Sequence, residues 1–392
     1  MGAIRKIQEF VGDSRAVGIV LLSCTALSLV ITNTPAGTAW LHLWNLSADP
    51  SGGHHWTAGP LHLPNSLTDW LNDAGMSLFF FMAGMEIKRE LTSGELSSFR
   101  QALLPAAAAI GGMVVPAALF LLAAHGTDYA HGWGIPMATD IAFSLGVAAI
   151  LGSRMPVALK IFLTALAIID DLGAIVTIAL FYSHGLAIYY LLGGAAVWLL
   201  LLALTYYKVP FGWFQCLLGL VLWYCIFNSG IHATVAGVLF AFTVPAKDLQ
   251  TWEHRVHLPV NFIIIPLFAL AGTAIHLPAN LWALFKTPLS LGILSGLLIG
   301  KTLGISGMVY ILVRTGVASL PAGSNWRQVI GTGLLAGIGF TMSIFITLLA
   351  YDRPDFQDTA KIAVLVASLL AIGGALAWFR WVAGGPVQKT TK

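Results

Sequence analysis

The sequence predicts an all-α membrane protein of twelve transmembrane helices, two of them, the fourth and the eleventh, broken near mid-membrane. Three observations carry that prediction. Of 392 residues, 57% are hydrophobic and only 9% charged, where a soluble domain carries about 25% charged residues. Twelve apolar runs follow one another, at 16–33, 66–88, 101–124, 137–153, 156–183, 186–207, 211–228, 230–245, 256–276, 287–313, 327–350 and 359–383. A crossing needs roughly 20 apolar residues, or fewer where the helix is interrupted. Third, an even number of spans puts both termini on one side, and that side collects fifteen of the twenty Lys and Arg residues. The other side has Lys286, Arg353 and Lys361, and Lys160 and Lys301 lie within spans. Such a bias marks the cytoplasmic side. Both termini are therefore expected in the cytoplasm, and residues 1–392 are expected to form one polytopic domain.

The first run follows Arg5 and Lys6 and superficially imitates a signal peptide. Its length, and the lack of an A-x-A cleavage site after it, favour a retained span capped by Asp13-Ser14. The longest connection, 34–65, holds Pro35, Pro50, Gly52, Gly53, Pro60 and Pro64, turn-forming residues that predict a small extracytoplasmic hairpin. Pro156 opens the fifth run, as proline does in a first helical turn. Cys24, Cys216 and Cys225 lie in apolar segments without metal-like spacing and read as inert buried thiols. The basic residues are dispersed along the chain, so no nucleic-acid footprint exists, and no cofactor is expected.

The two damaged runs come next. The fourth carries Gly132-Trp133-Gly134-Ile135-Pro136 just before Met137-Ala138-Thr139-Asp140. The eleventh carries Gly331, Gly333, Gly337 and Gly339 before Phe340-Thr341-Met342-Ser343. Glycine and proline free backbone groups that lipid cannot satisfy, so such segments survive only where they line a cavity or are buried in protein. One broken span in each half points to a transporter with repeats and a midplane site. The plainer reading is that these glycines only allow close helix packing.

The fifth run places Asp170 and Asp171 near the middle of a helix about 42 Å long. Each ionised carboxylate there costs roughly 2.5–3.5 kcal/mol on insertion scales. Adjacent positions point about 100° apart on a helix, so one carboxylate can meet a partner helix while the other faces a cleft. Thr164 shares the face of Asp171. Carboxylates, a hydroxyl and freed carbonyls are hard oxygen ligands suited to a hard cation. Two carboxylates so close do not both stay charged without a cation between them. The pair is therefore a place where a metal cation and protons compete.

Lys301, mid-span in LLIGKTLGI, needs an anion, and Asp170 or Asp171 is the natural partner; a purely structural ion pair is the alternative. Asp140, at the break, can compensate the positive end of a half-helix. Thr139 and Asp140 can equally touch the cation. Asp73 either lines a cleft or is a packed, protonated aspartate. Glu86, Arg89 and Glu90, with Lys88, and Glu253, His254 and His257, with Arg255, read as a solvated charged rim or as a pH sensor. His232 reads more simply as a hydrogen-bonded core histidine.

Several of these segments are familiar together. FFFMAGMEIKREL (79–91), ATDIAFSLGV (138–147), LGSRMPVALKIFLTALAIIDDLGAI (151–175), SGIHATVAGV (229–238), EHRVH (253–257), GLLIGKTLGIS (296–306) and GIGFTMSIF (337–345) resemble the NhaA family of sodium/proton antiporters over nearly the whole chain. The resemblance implies inverted-topology repeats, spans three to five (about 101–183) against ten to twelve (about 287–383), a property of that family rather than a derivation from this chain. It implies that the fourth and eleventh helices cross at mid-membrane, with Thr139, Asp140, Gly337 and Gly339 at the crossing. Asp170 and Asp171 would bind Na⁺ or Li⁺ and carry protons, and Lys301 would pair with Asp170. Glu86, Glu90, Glu253, His254 and His257 would belong to a cytoplasmic pH-responsive region; on the residues alone, Asp73, Arg89 and His232 are further candidates for the cleft or that response. The resemblance further implies electrogenic exchange of cytoplasmic Na⁺ for external H⁺, activation at alkaline pH, a bacterial inner membrane and a homodimer joined through 34–65. Two positions depart from the usual pattern: Thr302 replaces a proline after the lysine, and Leu270-Ala271-Gly272 replaces Asn-Ala-Gly. They predict a shifted pH profile or Na⁺ affinity.

Three rivals remain at this level. A cation or proton channel has no need of two broken helices. An intramembrane serine protease would use Gly304-Ile305-Ser306-Gly307 with His232, but leaves Asp170, Asp171 and Lys301 unexplained. A Na⁺-coupled solute symporter would need a pocket for an organic substrate.

Overall fold

The computed structural model describes residues 14–49, 55–58, 61–183 and 185–383. Arg5, Lys6, Asp13, Pro50, Gly52, Gly53, Pro60, Lys389 and Lys392, on which the sequence reading drew, lie outside the described residues. Among the described residues the regular structure is helical apart from one short strand pair and an isolated bridge between Ser47 and Ser66. In order the elements are α1 (Ser14–Thr32), α2 (Gly37–Trp44), β1 (His55–Ala58), β2 (Leu61–Pro64), α3 (67–93), α4 (Phe99–Ala123), a 3₁₀ helix (Asp128–Met137), α5 (Ile141–Leu151), α6 (Val157–Phe181), α7 (Ile188–Tyr206), α8 (Trp213–Phe227) and α9 (Thr234–Thr243). Then follow α10 (Leu249–Gly272), α11 (Leu281–Phe285), α12 (Pro288–Arg314), α13 (Trp326–Ala336), α14 (Phe340–Ala350) and α15 (Pro354–Trp381). β1 and β2 pair antiparallel with Trp56 opposite Leu63.

Among the described residues, α4, α6, α7, α10, α12 and α15 are long and apolar enough to cross a membrane. Two helix pairs of similar composition are bent at a short break: the 3₁₀ helix and the helical stretch Ile141–Arg154 by 43°, and α13 and α14 by 46°. Large apolar side chains such as Leu122, Leu180 and Tyr189 are exposed on these helices, as a hydrocarbon solvent permits. The chain is therefore a multi-pass helical membrane protein.

The fourth run differs from its expected start at Met137. The chain enters nine residues earlier, as a 3₁₀ helix from Asp128 whose Tyr129 amide donates to the Thr127 hydroxyl. A Cβ on Gly132 would collide with the Tyr351 hydroxyl, which donates instead to the Tyr129 carbonyl. Pro136 then prevents the segment from joining α5 as one helix. Three helices also contain a π-helical turn: Leu71–Gly75 in α3, Val260–Ile264 in α10 and Ser295–Gly300 in α12.

Two compact units are interleaved along the chain: Met1–Ile19, Glu95–Ala174 and Pro278–Lys392 in one, Val20–Gly94 and Ile175–Leu277 in the other. In the first, α12 places Gly292, Gly296, Gly300 and Gly304 four residues apart on one face. Side chains there would run into Phe120, Pro136, Pro116 and the Gly111 backbone respectively, so α12 and α4 approach backbone to backbone, the usual device where small residues replace a hydrophobic driving force. In the second unit α3 lies on α9, with Gly84 against Val238 and Ala241. Leu201, Leu222, Ile226 and Ala236 form the core of α7, α8 and α9.

Candidate functional site

Asp170 and Asp171 project from α6 and are both buried. Lys301, the residue immediately after the π turn of α12, is fully buried as well, and its Nζ donates to Asp170 Oδ2 at 2.6 Å. Of the two partners open to the lysine, the geometry selects Asp170; Asp171 stays within Coulombic reach of the ammonium. The lysine stem passes Gly112 and is flanked by Ile305. A buried charge is tolerable only when paired and hydrogen-bonded, and here one oxygen of Asp170 meets that condition. Its other oxygen, Oδ1, is buried without a hydrogen bond, and Thr139 lies beside the carboxylate. Thr164 donates back to the Lys160 carbonyl, a local helix bond.

The two breaks lie against each other within the same unit. The Thr139 hydroxyl donates to the Ala336 carbonyl (2.8 Å), the Asp140 amide to the Ile338 carbonyl (2.7 Å) and the Ser144 hydroxyl to the Leu335 carbonyl (2.9 Å). The Leu335 and Ala336 carbonyls end α13 and the Ile338 carbonyl lies in the gap after it, where regular helical pairing stops; Leu335 also accepts from the Ile338 amide. Asp140 is the N-cap of α5: Oδ1 accepts from the Phe143 amide at 3.0 Å. Its Oδ2 accepts from the Thr341 amide at 3.1 Å and the Thr341 hydroxyl at 2.5 Å, in the first turn of α14. One carboxylate thus serves two half-helix N-termini, where the helix dipole favours negative charge. Ser368 of α15 accepts from the Phe340 amide, and the Ser343 hydroxyl donates to the Ile135 carbonyl. Gly337 and Gly339 lie in the gap between α13 and α14; a side chain on Gly337 would strike the Leu297 carbonyl.

In the other unit the structure joins two residues that the sequence reading had treated separately. Asp73 sits in the π turn of α3, and His232 Nε2 is 3.5 Å from its Oδ1. His232 Nδ1 meets the Thr234 hydroxyl at 2.9 Å, and the Trp223 indole donates to the Asp73 carbonyl. Arg89 gathers three carboxylates: Glu253 at 3.1 Å, Glu90 at 3.4 Å and Glu86 at 3.9 Å. His254 and His257 are exposed on the helix of Glu253, and His257 is within its Coulombic reach. Lys88 is not part of that cluster. Its ammonium donates to the Phe242 and Val244 carbonyls and closes the C-terminus of α9.

Sequence reasoning missed Ser144 and Ser368, and it placed Lys88 in the charged rim rather than at the end of α9. Each answers a backbone group orphaned by a helix end in a distant segment, so no local pattern marks it. The only available signal was a polar residue on an otherwise apolar face. At the two departures, the Thr302 hydroxyl bonds the Leu298 carbonyl one turn back, and the Leu270 carbonyl accepts from Ser28. Ser306 Oγ makes no hydrogen bond, while His232 is engaged with Asp73 and Thr234. Among the described residues no group of three or more His, Cys, Asp and Glu side chains forms a metal-binding cluster. The oxygens described near Lys301 are those of Asp170, Asp171 and Thr139, all hard ligands.

Comparison with known proteins places the chain among sodium/proton antiporters. Residues 8–379 match the family model described as Na⁺/H⁺ antiporter 1. The chain is 42% identical to the Na⁺/H⁺ antiporter NhaA of Cytophaga hutchinsonii, over 99% of this chain and 98% of that protein. It is 47% identical to Na⁺/H⁺ antiporter NhaA 2 of Flavobacterium johnsoniae, over 93% and 89%. It is 45% identical to the Na⁺/H⁺ antiporter NhaA of Dechloromonas aromatica, over 95% of each chain.

Proposed function

The chain belongs to the Na⁺/H⁺ antiporter 1 family, and from that premise we propose that Asp170, Asp171 and Lys301 form the site where its two ions compete. It is a secondary transporter, not an enzyme, and it exchanges Na⁺ for H⁺ across a membrane. This removes the protease reading of Ser306.

The observation that supports the site is the buried Asp170–Lys301 ion pair beside a second buried carboxylate. Asp170 cannot be neutralised by the ammonium and by a metal cation at once. Binding Na⁺ or Li⁺ across Asp170 and Asp171 therefore releases Lys301 from Asp170, with Thr139 adding an oxygen. Protonation of the carboxylates expels the cation in turn. Two protons inward for each Na⁺ outward would move one net charge, so a membrane potential would drive the cycle at about 2.3 kcal/mol per charge per 100 mV. Asp140 holds the crossing of the fourth and eleventh helices, and the surrounding twelve-helix frame is built from inverted repeats at about 101–183 and 287–383. Arg89, Glu86, Glu90, Glu253, His254 and His257 set the pH response, together with the Asp73–His232 pair. The protein works in a bacterial inner membrane with both termini cytoplasmic, as a homodimer joined through 34–65.

The test uses inside-out vesicles lacking other antiporters. The lumen is acidified by respiration, Na⁺, Li⁺ or K⁺ is added, and a pH-sensitive dye is followed from neutral to alkaline pH. Na⁺ and Li⁺ are expected to dissipate the gradient, K⁺ is not, and Asp171→Asn should abolish the effect. Undiminished exchange in Asp171→Asn would overturn the site. Dissipation without any cation would favour a proton channel.

A further inference from the structure

The half-helix α14 grips the 3₁₀ helix at two points. Near the crossing, the Ser343 hydroxyl donates to the Ile135 carbonyl at 2.7 Å. At the end remote from the crossing, the hydroxyl of Tyr351, the C-cap of α14, donates to the Tyr129 carbonyl, also at 2.7 Å. Ser343 and Tyr351 stand eight positions apart, about 12 Å at the α-helical rise. Tyr129 and Ile135 stand six apart, which is about 12 Å at the 3₁₀ rise and about 9 Å at the α-helical one. The two bonds therefore match the stretched form of 128–137. Runs of 3₁₀ helix beyond three or four residues are uncommon because their hydrogen bonds are poorer. This run has ten, so contacts from outside it must hold it extended.

The Tyr351 end is constructed for that task. The side chain is buried, and the missing side chain of Gly132 leaves the space its hydroxyl occupies. The Tyr351 carbonyl accepts from Gln357 Nε2 at 2.6 Å, in the first turn of α15. The Phe356 ring lies 4.7 Å from the Tyr129 ring and 5.6 Å from that of Tyr351. Arg353, paired with Asp355, lies over Phe356 at 4.2 Å. Both tyrosines thus share one aromatic platform on α15, and the phenol hydroxyl is the polar link between them.

The extended segment runs through Pro136 directly into Thr139, which stands beside the Asp170 carboxylate. The length of the segment decides where Thr139 stands. We propose that Tyr351 is a positioning residue for cation binding: it holds 128–137 at its 3₁₀ length and so sets the Thr139 oxygen against Asp170, a role that rests on Asp170 and Asp171 being the ion site. Without the hydroxyl, the segment is free to shorten toward the α-helical rise and to draw Thr139 away.

The experiment measures Na⁺-dependent exchange against Na⁺ concentration in inside-out vesicles carrying the wild type, Tyr351→Phe, Thr139→Ala or the double variant. Tyr351→Phe keeps the ring against Phe356 and removes one oxygen. The KM for Na⁺ should rise between about twofold and tenfold, the range open to one neutral hydrogen bond, with the maximal rate unchanged. Because Tyr351 acts through Thr139, the double variant should show the KM of Thr139→Ala alone. Amides of 128–137 should exchange with deuterium faster in purified Tyr351→Phe than in the wild type. Arg353→Gln, which alters the same cluster and leaves the phenol bond, should change neither the KM nor that exchange. An unchanged KM in Tyr351→Phe overturns the proposal. So do losses that multiply in the double variant, unchanged deuterium exchange at 128–137, or an equal rise of KM in Arg353→Gln. Asp171→Asn, run alongside, separates this role from the site assignment. If it is inactive, a failure in Tyr351→Phe concerns Tyr351 alone; if it exchanges normally, the site falls and the role of Tyr351 falls with it.

Discussion

Asp140 and Asp170 are both buried in the same unit, yet they are stabilised in opposite ways. Asp140 is held by backbone: its two oxygens accept from the amides of Phe143 and Thr341 and from the Thr341 hydroxyl. Asp170 is held by one movable cation, Lys301, and its second oxygen has no hydrogen bond. A carboxylate embraced by helix-end amides cannot give up its partners without undoing two helices. A carboxylate paired with a flexible ammonium can exchange that charge for another. The difference separates a residue that fixes the frame from one suited to carry cargo, although both are buried aspartates in apolar segments.

The sharpest way to break this contrast is to remove each charge in turn. Asp170→Asn should abolish Na⁺-dependent dissipation of a proton gradient, because an amide neither binds a cation as a carboxylate does nor carries a proton. Asp140→Asn should retain exchange. Asparagine caps a helix as well as aspartate does, so one helix end keeps its acceptor and the other loses about 1–2 kcal/mol. Loss of exchange in Asp140→Asn as complete as in Asp170→Asn would dissolve the division between frame and cargo site.

Lys301 tests the same contrast through stability. Lys301→Ala leaves Asp170 buried without its cation, and breaking a buried pair from one side costs about 3–5 kcal/mol. The thermal midpoint in detergent should fall accordingly. The double variant Lys301→Ala with Asp170→Asn should recover much of that loss, since no charge is then left stranded. A double variant no more stable than Lys301→Ala alone would mean that the lysine acts through packing against Gly112 and Ile305 rather than through the ion pair.

How far the sequence reached follows the same division. The aspartate pair was legible because charge in an apolar run is expensive wherever the chain folds. The breaks were legible because glycine and proline act on their own backbone. The partner of Lys301 was only narrowed to two by the residues, since a one-residue choice depends on how α6 is rotated against α12. The 3₁₀ start at Asp128 was missed because its apolar content is low and its stability comes from Tyr351 and Ser343, far along the chain. The π turns were invisible as well. They shift the helix register by one residue, and an apolar run reads alike with or without the shift. The Asp73–His232 contact was missed for a related reason: each residue looked plausible alone, and only the packing of α3 beside the segment leading into α9 brings them together.

The smallest expected effect lies at the crossing itself. Ser144 donates to the Leu335 carbonyl and the neighbouring Thr139 to Ala336, so two consecutive carbonyls at the end of α13 are served from the α5 side. Ser144→Ala removes one of these bonds and leaves a buried carbonyl without this donor, at a cost of about 1 kcal/mol. Because Ser144 touches neither Asp170 nor Lys301 in the hydrogen bonds described, the apparent Na⁺ affinity in vesicles should stay within about twofold while the thermal midpoint falls slightly. Thr139→Ala makes the informative comparison. It removes an equivalent bond to α13, but Thr139 also lies beside the Asp170 carboxylate, so here both the midpoint and the Na⁺ affinity should fall. If the two variants lose affinity equally, the crossing is coupled to the ion site through the backbone of α13 as a whole. If only Thr139→Ala does, the coupling runs through the one side chain that belongs to both regions.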